Sequence, residues 1–60
     1  MAAKIVIVNA NATIIYGALS GQSGLVVGYD SNINEVWISL DEDTTVLVKA
    51  EMIEQIKGTL

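Results

Sequence analysis

The chain is 60 residues long and carries a formal net charge of −4, from three lysines and seven acidic residues with no arginine. That balance argues against a grip on the nucleic-acid backbone, which depends on Lys and Arg displacing counterions, and against adsorption to anionic membranes. With neither cysteine nor histidine in the sequence, a disulfide framework and a Cys/His zinc site are both excluded.

A domain of this size buries only about 60% of the surface its unfolded chain exposes. Without disulfides or zinc, its stability has to come from an efficient apolar core or from a partner subunit. Apolar residues make up 52% of the chain, led by eight Ile and seven Val, with no Phe and no Pro. Branched side chains pack well on a pleated surface, so the composition favours β-structure, with turns set by Gly, Asn and Asp. No apolar run approaches the roughly 20 residues that span a bilayer. The run Ile5-Val6-Ile7-Val8 is too short for a secretory signal, so the expected location is the cytoplasm and the expected organisation is one domain, residues 1–60.

In chain order, Lys4 to Val8 reads as a first strand, apolar on both faces and therefore in need of cover on both. Asn9 to Thr13 reads as a small polar break. Its Asn11-Ala12-Thr13 sequon carries no meaning without secretion. Ile14-Ile15-Tyr16 is short enough to be either a strand or one helical turn, and Gly17 opens a loop that runs to Gly21. Gly21 and Gly24 release a tight turn, Leu25 to Tyr29 forms a strand, and Gly28 lets that strand bend. Asp30 to Asn34 is a hairpin turn. Glu35 to Leu40 then alternates cleanly, with Val36, Ile38 and Leu40 on one face and Glu35, Trp37, Ser39 and Asp41 on the other. After a turn at Asp41 to Thr44, Thr45 to Lys49 places Val46 and Val48 on one face and Thr45, Leu47 and Lys49 on the opposite one. Met52, Ile53 and Ile56 share a helical face, but two turns of isolated helix are marginal in water. A 3₁₀ turn at Glu51-Met52 followed by a strand from Ile53 to Ile56 fits the strand-rich chain better. Five short strands with no room for crossover helices indicate an all-β, antiparallel barrel or small sandwich.

The run Gly21-Gln22-Ser23-Gly24-Leu25-Val26-Val27-Gly28-Tyr29-Asp30, then Val36-Trp37-Ile38-Ser39-Leu40-Asp41, Val46-Leu47-Val48 and Glu51-Met52-Ile53-Glu54, resembles the SH3-like barrels of the KOW type. The likeness covers Lys4 to Ile56. It implies a small five-stranded SH3-like antiparallel barrel with a 3₁₀ turn near the C-terminus. Proteins with this pattern include RNA- and protein-contacting modules of ribosomes and transcription factors, docking subunits of redox complexes, and many small phage and bacterial proteins. The nucleic-acid branch carries Lys and Arg in its loops. Here those loops hold Asn11, Ser23, Asp30, Asn32, Asp41, Glu42 and Asp43.

Little in the chain fits catalysis. Ser20, Ser23, Ser31 and Ser39 have no evident base, and Lys4, Lys49 and Lys57 are scattered. The cluster Asp41-Glu42-Asp43 sits in a turn, where Asp is common, and it lacks the ligand count of a calcium loop. The glycines are not followed by the Lys-Ser/Thr or the helix of a phosphate cradle. No enzyme, metal or cofactor is therefore expected. Trp37 stands on the polar face of its strand. There it either caps the open end of a barrel or, with Tyr16 or Tyr29 nearby, anchors an interface. Leu47 lies on the same class of face one strand on, so a Trp37–Leu47 patch is expected outside the core. The first expectation is therefore a non-enzymatic interaction module that self-associates and docks on a protein partner, of phage or mobile-element origin. The alternatives are a nucleic-acid or ribosome-associated module and an oligomeric small-ligand binder lined by Tyr16, Tyr29 and Asn11.

Overall fold

A computed structural model describes residues 5–55. Over that span the chain forms β1 (Asn11–Ile14), β2 (Ser23–Asp30), β3 (Glu35–Asp41), β4 (Thr44–Lys49), a 3₁₀ turn (Ala50–Met52) and β5 (Ile53–Glu54). The strands pair antiparallel in one sheet of order β4-β3-β2-β1-β5.

β4 and β5 end that order on opposite sides, yet only the three residues of the 3₁₀ turn separate them. Such a turn rises about 2.0 Å per residue, so the sheet has to curl until its two edges nearly meet. The turn is held at both sides of this seam. Ile15 N–H donates to the Met52 carbonyl at 2.8 Å, and Ala50 N–H donates to the Asn34 carbonyl at 2.9 Å. The expected barrel is thus a strongly curled sheet, not closed: no ladder joins β4 to β5 among the described residues.

The inner face follows the alternation of each strand. Ala12, Ile14, Val26, Val36, Ile38, Val48, Ala50 and Ile53 form the buried core, with Val6, Leu19, Tyr29, Leu40, Val46 and Met52 packed around it. Ile14, Ile38, Ile53, Val26 and Val36 are buried completely. Each contributes about 1.5–3 kcal/mol through removal of its side chain from water.

β2 connects the two halves of the sheet. Its N-terminal part pairs with β1 (Thr13 opposite Ser23, Ala12 opposite Gly24), its C-terminal part pairs with β3, and Leu25 has partners on both sides, Asn11 and Ser39. Gly24 sits where these halves cross. A Cβ there would overlap the Ser39 carbonyl oxygen and lie 2.8 Å from Ile38 Cγ2. Only glycine lets the β3 backbone approach this closely. The tight turn expected at Gly21-Gly24 is instead the loop before β2, where Gly17 and Gly21 have φ of 91° and 96°, while Gly24 is within the strand. Three residues on, a bulge shifts the register between Val26 and Gly28 and leaves Val27 unpaired, which bends β2 as bulges do.

Two expectations at the N-terminal end are corrected. Ile5 to Val8 is not a strand; Lys4, the expected first residue, lies outside the described residues. Asn9, at φ 70°, turns the chain between this run and β1. The backbone of Ile7 is instead gripped by a side chain: Gln55 Nε2 donates to the Ile7 carbonyl at 2.7 Å, and Ile7 N–H donates to Gln55 Oε1 at 2.8 Å. The expected polar break at Asn9 to Thr13 contains most of β1. Asn11 and Thr13 face outward and Ala12 and Ile14 inward, and the small Ala12 side chain is what fits opposite Gly24. At the other end β5 stops at Glu54, and the expected strand end at Ile56 lies outside the described residues.

The β2–β3 turn is organised by Asn34, which adopts φ 59°. Its side-chain amide donates to Glu51 Oε1 at 2.7 Å, its Oδ1 accepts from the Tyr29 hydroxyl at 3.3 Å, and its carbonyl holds Ala50. One residue thus ties the hairpin turn to the 3₁₀ turn.

Two substitutions test this scheme by urea denaturation. Gly24→Ala lowers the unfolding free energy by about 1–3 kcal/mol, because a backbone carbonyl and not a movable side chain occupies the space. Asn34→Ala loses both its amide bonds and its tolerance of positive φ, for a loss of about 1–3 kcal/mol, whereas Asn34→Gly keeps the backbone geometry and loses less.

Candidate protein-interaction face

The ladder registers fix what the outer side of β2, β3 and β4 presents. Leu25, Ser39 and Thr45 form one row; Gly28, Trp37 and Leu47 form the next; Asp30, Glu35 and Lys49 form the third. Trp37 and Leu47 are therefore direct cross-strand neighbours, 37% and 49% exposed. Their core-facing neighbours Val36, Ile38 and Val48 alternate with them, so an aliphatic core on one side of the sheet forces this pair to the other.

Trp37 lies against Gly28. A Cβ at position 28 would meet the indole Cε3 at 3.4 Å, ordinary van der Waals contact. The glycine opens a shallow seat for the ring, a large side chain covering a strand position that has none of its own. On the far side Leu47 extends the apolar row to the free edge of β4. Leu25 (40% exposed) and the bulged Val27 (47%) add apolar surface on β2. The third row is charged: Lys49 Nζ is 3.5 Å from Glu35 Oε2 and also donates to the Ile33 carbonyl at 3.1 Å. Scattered exposed apolar residues need no explanation, but a contiguous row beside a polar rim marks an interaction site.

The other residues expected at an interface are elsewhere. Tyr29 stands opposite Val36 in the β2–β3 ladder and packs against the core, on the reverse side of the sheet from Trp37. Tyr16 follows β1 in the loop that leads to β2 and is 62% exposed. Asn11 lines a depression with Ala12, Thr13, Ser23, Gly24 and Glu54. The outer side there is polar: the Thr13 and Ser23 hydroxyls are 2.9 Å apart. Neither tyrosine lines that depression. The outer surface of the sheet is thus divided, polar over β1 and β5 and, across β2, β3 and β4, crossed by one apolar row between polar and charged ones. Alternation from Leu25 already places Val27 outward; what it does not find is Gly28 beside Trp37 on the outer face, because the bulge shifts the register after Val27.

The acidic cluster serves its own turn. Asp41 Oδ1 accepts from Asp43 N–H at 2.8 Å, and the Asp41 carbonyl accepts from the Ser39 hydroxyl at 2.8 Å. Among the described residues no group of three acidic, His or Cys side chains is arranged to hold a metal ion, and no helix is long and apolar enough to cross a membrane.

No family model matches the sequence, and no curated protein matches it. Among solved structures, the chain is similar to one in "Crystal Structure of MjSpt4:Spt5 complex conformation B", with a TM-score of 0.80 at 17% identity. The likeness covers 93% of this chain and 40% of that one, so this chain spans less than half the length of its structural neighbour. At this identity the likeness shows the fold alone, in keeping with the SH3-like barrel expected from the sequence.

The seat beneath Trp37 is checked by Gly28→Ala. Its φ is not in the left-handed region and the added methyl only touches the ring, so stability stays within about 1 kcal/mol of the parent. The emission of the chain's single tryptophan is unchanged.

Proposed function

We propose that this chain is a non-enzymatic, KOW-like interaction module that self-associates and docks on protein through the outer face of β2, β3 and β4. The observation that carries this reading is the exposed row Gly28–Trp37–Leu47, with Leu25 and Val27 beside it, on a domain whose sequence has no cysteine for a disulfide. A large, rigid aromatic flanked by aliphatic side chains is the usual centre of a binding patch. The fold neighbour, described as an Spt4:Spt5 complex, is consistent with a fold that works in company. Among the described residues the one lysine, Lys49, is engaged with Glu35 and the Ile33 carbonyl. This leaves little cationic surface for a nucleic-acid backbone.

Sedimentation equilibrium across a dilution series tests the reading, with Trp37 fluorescence followed in parallel. The expected result is reversible association accompanied by a blue shift as the indole leaves water. Trp37→Lys removes the association while the far-UV circular dichroism is retained. A chain that stays monomeric at every concentration, with unchanged emission, overturns the self-association.

A further inference from the structure

β4 is an open edge. β3 occupies one side of it, and among the described residues nothing pairs with the other. The opposite end of the sheet is different: β5 is only two residues long, and Gln55 just beyond it binds the backbone of Ile7. Natural sheets blunt long edges with proline, bulges or inward charges. Along Thr44-Thr45-Val46-Leu47-Val48 there is no proline and no charge, and the only irregularity against β3 lies at the hairpin end, between Ser39 and Asp41. The row Gly28–Trp37–Leu47 runs straight off this edge.

The sequence of the edge is self-complementary. Val46-Leu47-Val48 reads the same in both directions, and an isologous interface requires that kind of symmetry. In an antiparallel pair, directly opposite residues share a face, so a two-fold axis passes through a residue position and not between two. With the axis at Leu47, Leu47 meets Leu47 of the second copy on the outer face, Val46 meets Val48 on the inner face, and Thr45 meets Lys49. Apolar stands against apolar and polar against polar. With the axis at Val46, only Val46 meets an apolar partner, itself, while Leu47 faces Thr45 and Val48 faces Thr44. The Leu47 register sets Lys49, already beside Glu35, opposite Thr45 of the other copy, two residues from that copy's Asp43.

We infer that the β4 edge pairs antiparallel with the β4 edge of a second copy, Leu47 on the two-fold axis, giving a closed dimer with one continuous sheet and an apolar stripe from Trp37 to Trp37. This rests on the self-association proposed above and specifies its geometry. Backbone hydrogen bonds supply the join, and the stripe extends across the axis.

The test combines native mass spectrometry of the full chain with residue-resolved amide exchange over a dilution series, and single cysteines introduced into a chain that has none. Edge pairing gives a species of twice the monomer mass. Every second β4 amide, those turned away from β3, is slowed by more than about tenfold at high concentration and released on dilution. Leu47→Cys forms an intermolecular disulfide on mild oxidation, because a residue on the axis meets itself at bonding distance. Thr45→Cys, opposite Lys49, does not. Leu47→Lys, at a half-exposed position that leaves the core intact, abolishes the dimer. A dimer whose β4 amides exchange freely overturns edge pairing and leaves association through the flat of the outer face. Equal crosslinking of Leu47→Cys and Thr45→Cys overturns the register, and open-ended filaments overturn the closed dimer. A strict monomer removes both the inference and the self-association beneath it.

Discussion

The fold depends on one close approach, the β3 backbone at Ser39 against a strand position with no side chain. Because Gly24 admits that carbonyl, β2 can leave β1 and join β3 within a single eight-residue strand, and Leu25 can hold partners on both sides. Ala12, the residue paired with Gly24, is small for the same reason. The bulge at Val27 completes the bend. From this corner the curl of the sheet follows, and from the curl follows the arrival of β5 beside β1 after a connection of only three residues. The fully buried core that results is built from Ala, Val and Ile side chains, with Tyr29 and Met52 packed at its margin.

The strands with strict alternation were legible from the sequence. In β3 and β4 every second residue is aliphatic and its neighbours are polar apart from Trp37 and Leu47, so both the faces and the Trp37–Leu47 pairing follow from period two and a short turn. The first strand was not legible in the same way. Ile5 to Val8 is the most strand-like run in the chain by composition, but the inner positions are filled from elsewhere and Asn9 diverts the backbone. The true strand contains Asn11, Ala12 and Thr13, which look like a break because small side chains are what a crowded corner requires. Propensity is a statement about an average pleated surface, and this position is not average. Tyr29 illustrates a different limit. The bulge two residues earlier shifts the alternation, so a face counted from Leu25 is wrong by the time it reaches Tyr29.

The division of the outer surface bears on the function. The β1 and β5 half presents hydroxyls, amides and a carboxylate, which water satisfies. The β2–β3–β4 half presents an indole and three aliphatic side chains and ends at an edge that no strand pairs with among the described residues. Among those residues no further layer covers that half. Its acidic residues are spread over turns and rims, with Asp41 closing a hairpin and Glu51 bonded to Asn34, so they act as turn and rim groups and do not form a continuous charged face.

The grip of Gln55 on Ile7 joins residues 48 apart in sequence, and the β1–β5 ladder spans nearly as much. By contrast, β2, β3 and β4 are joined by tight turns and form a meander of local contacts. Loop-closure entropy grows with separation, so the meander is the inexpensive half to assemble and the docking of the chain's two ends is the slow, last-formed contact. The same separation singles out the β1–β5 ladder, with Ile14 and Ile53 beneath it, as the expected first place of opening while the Trp37 face stays intact.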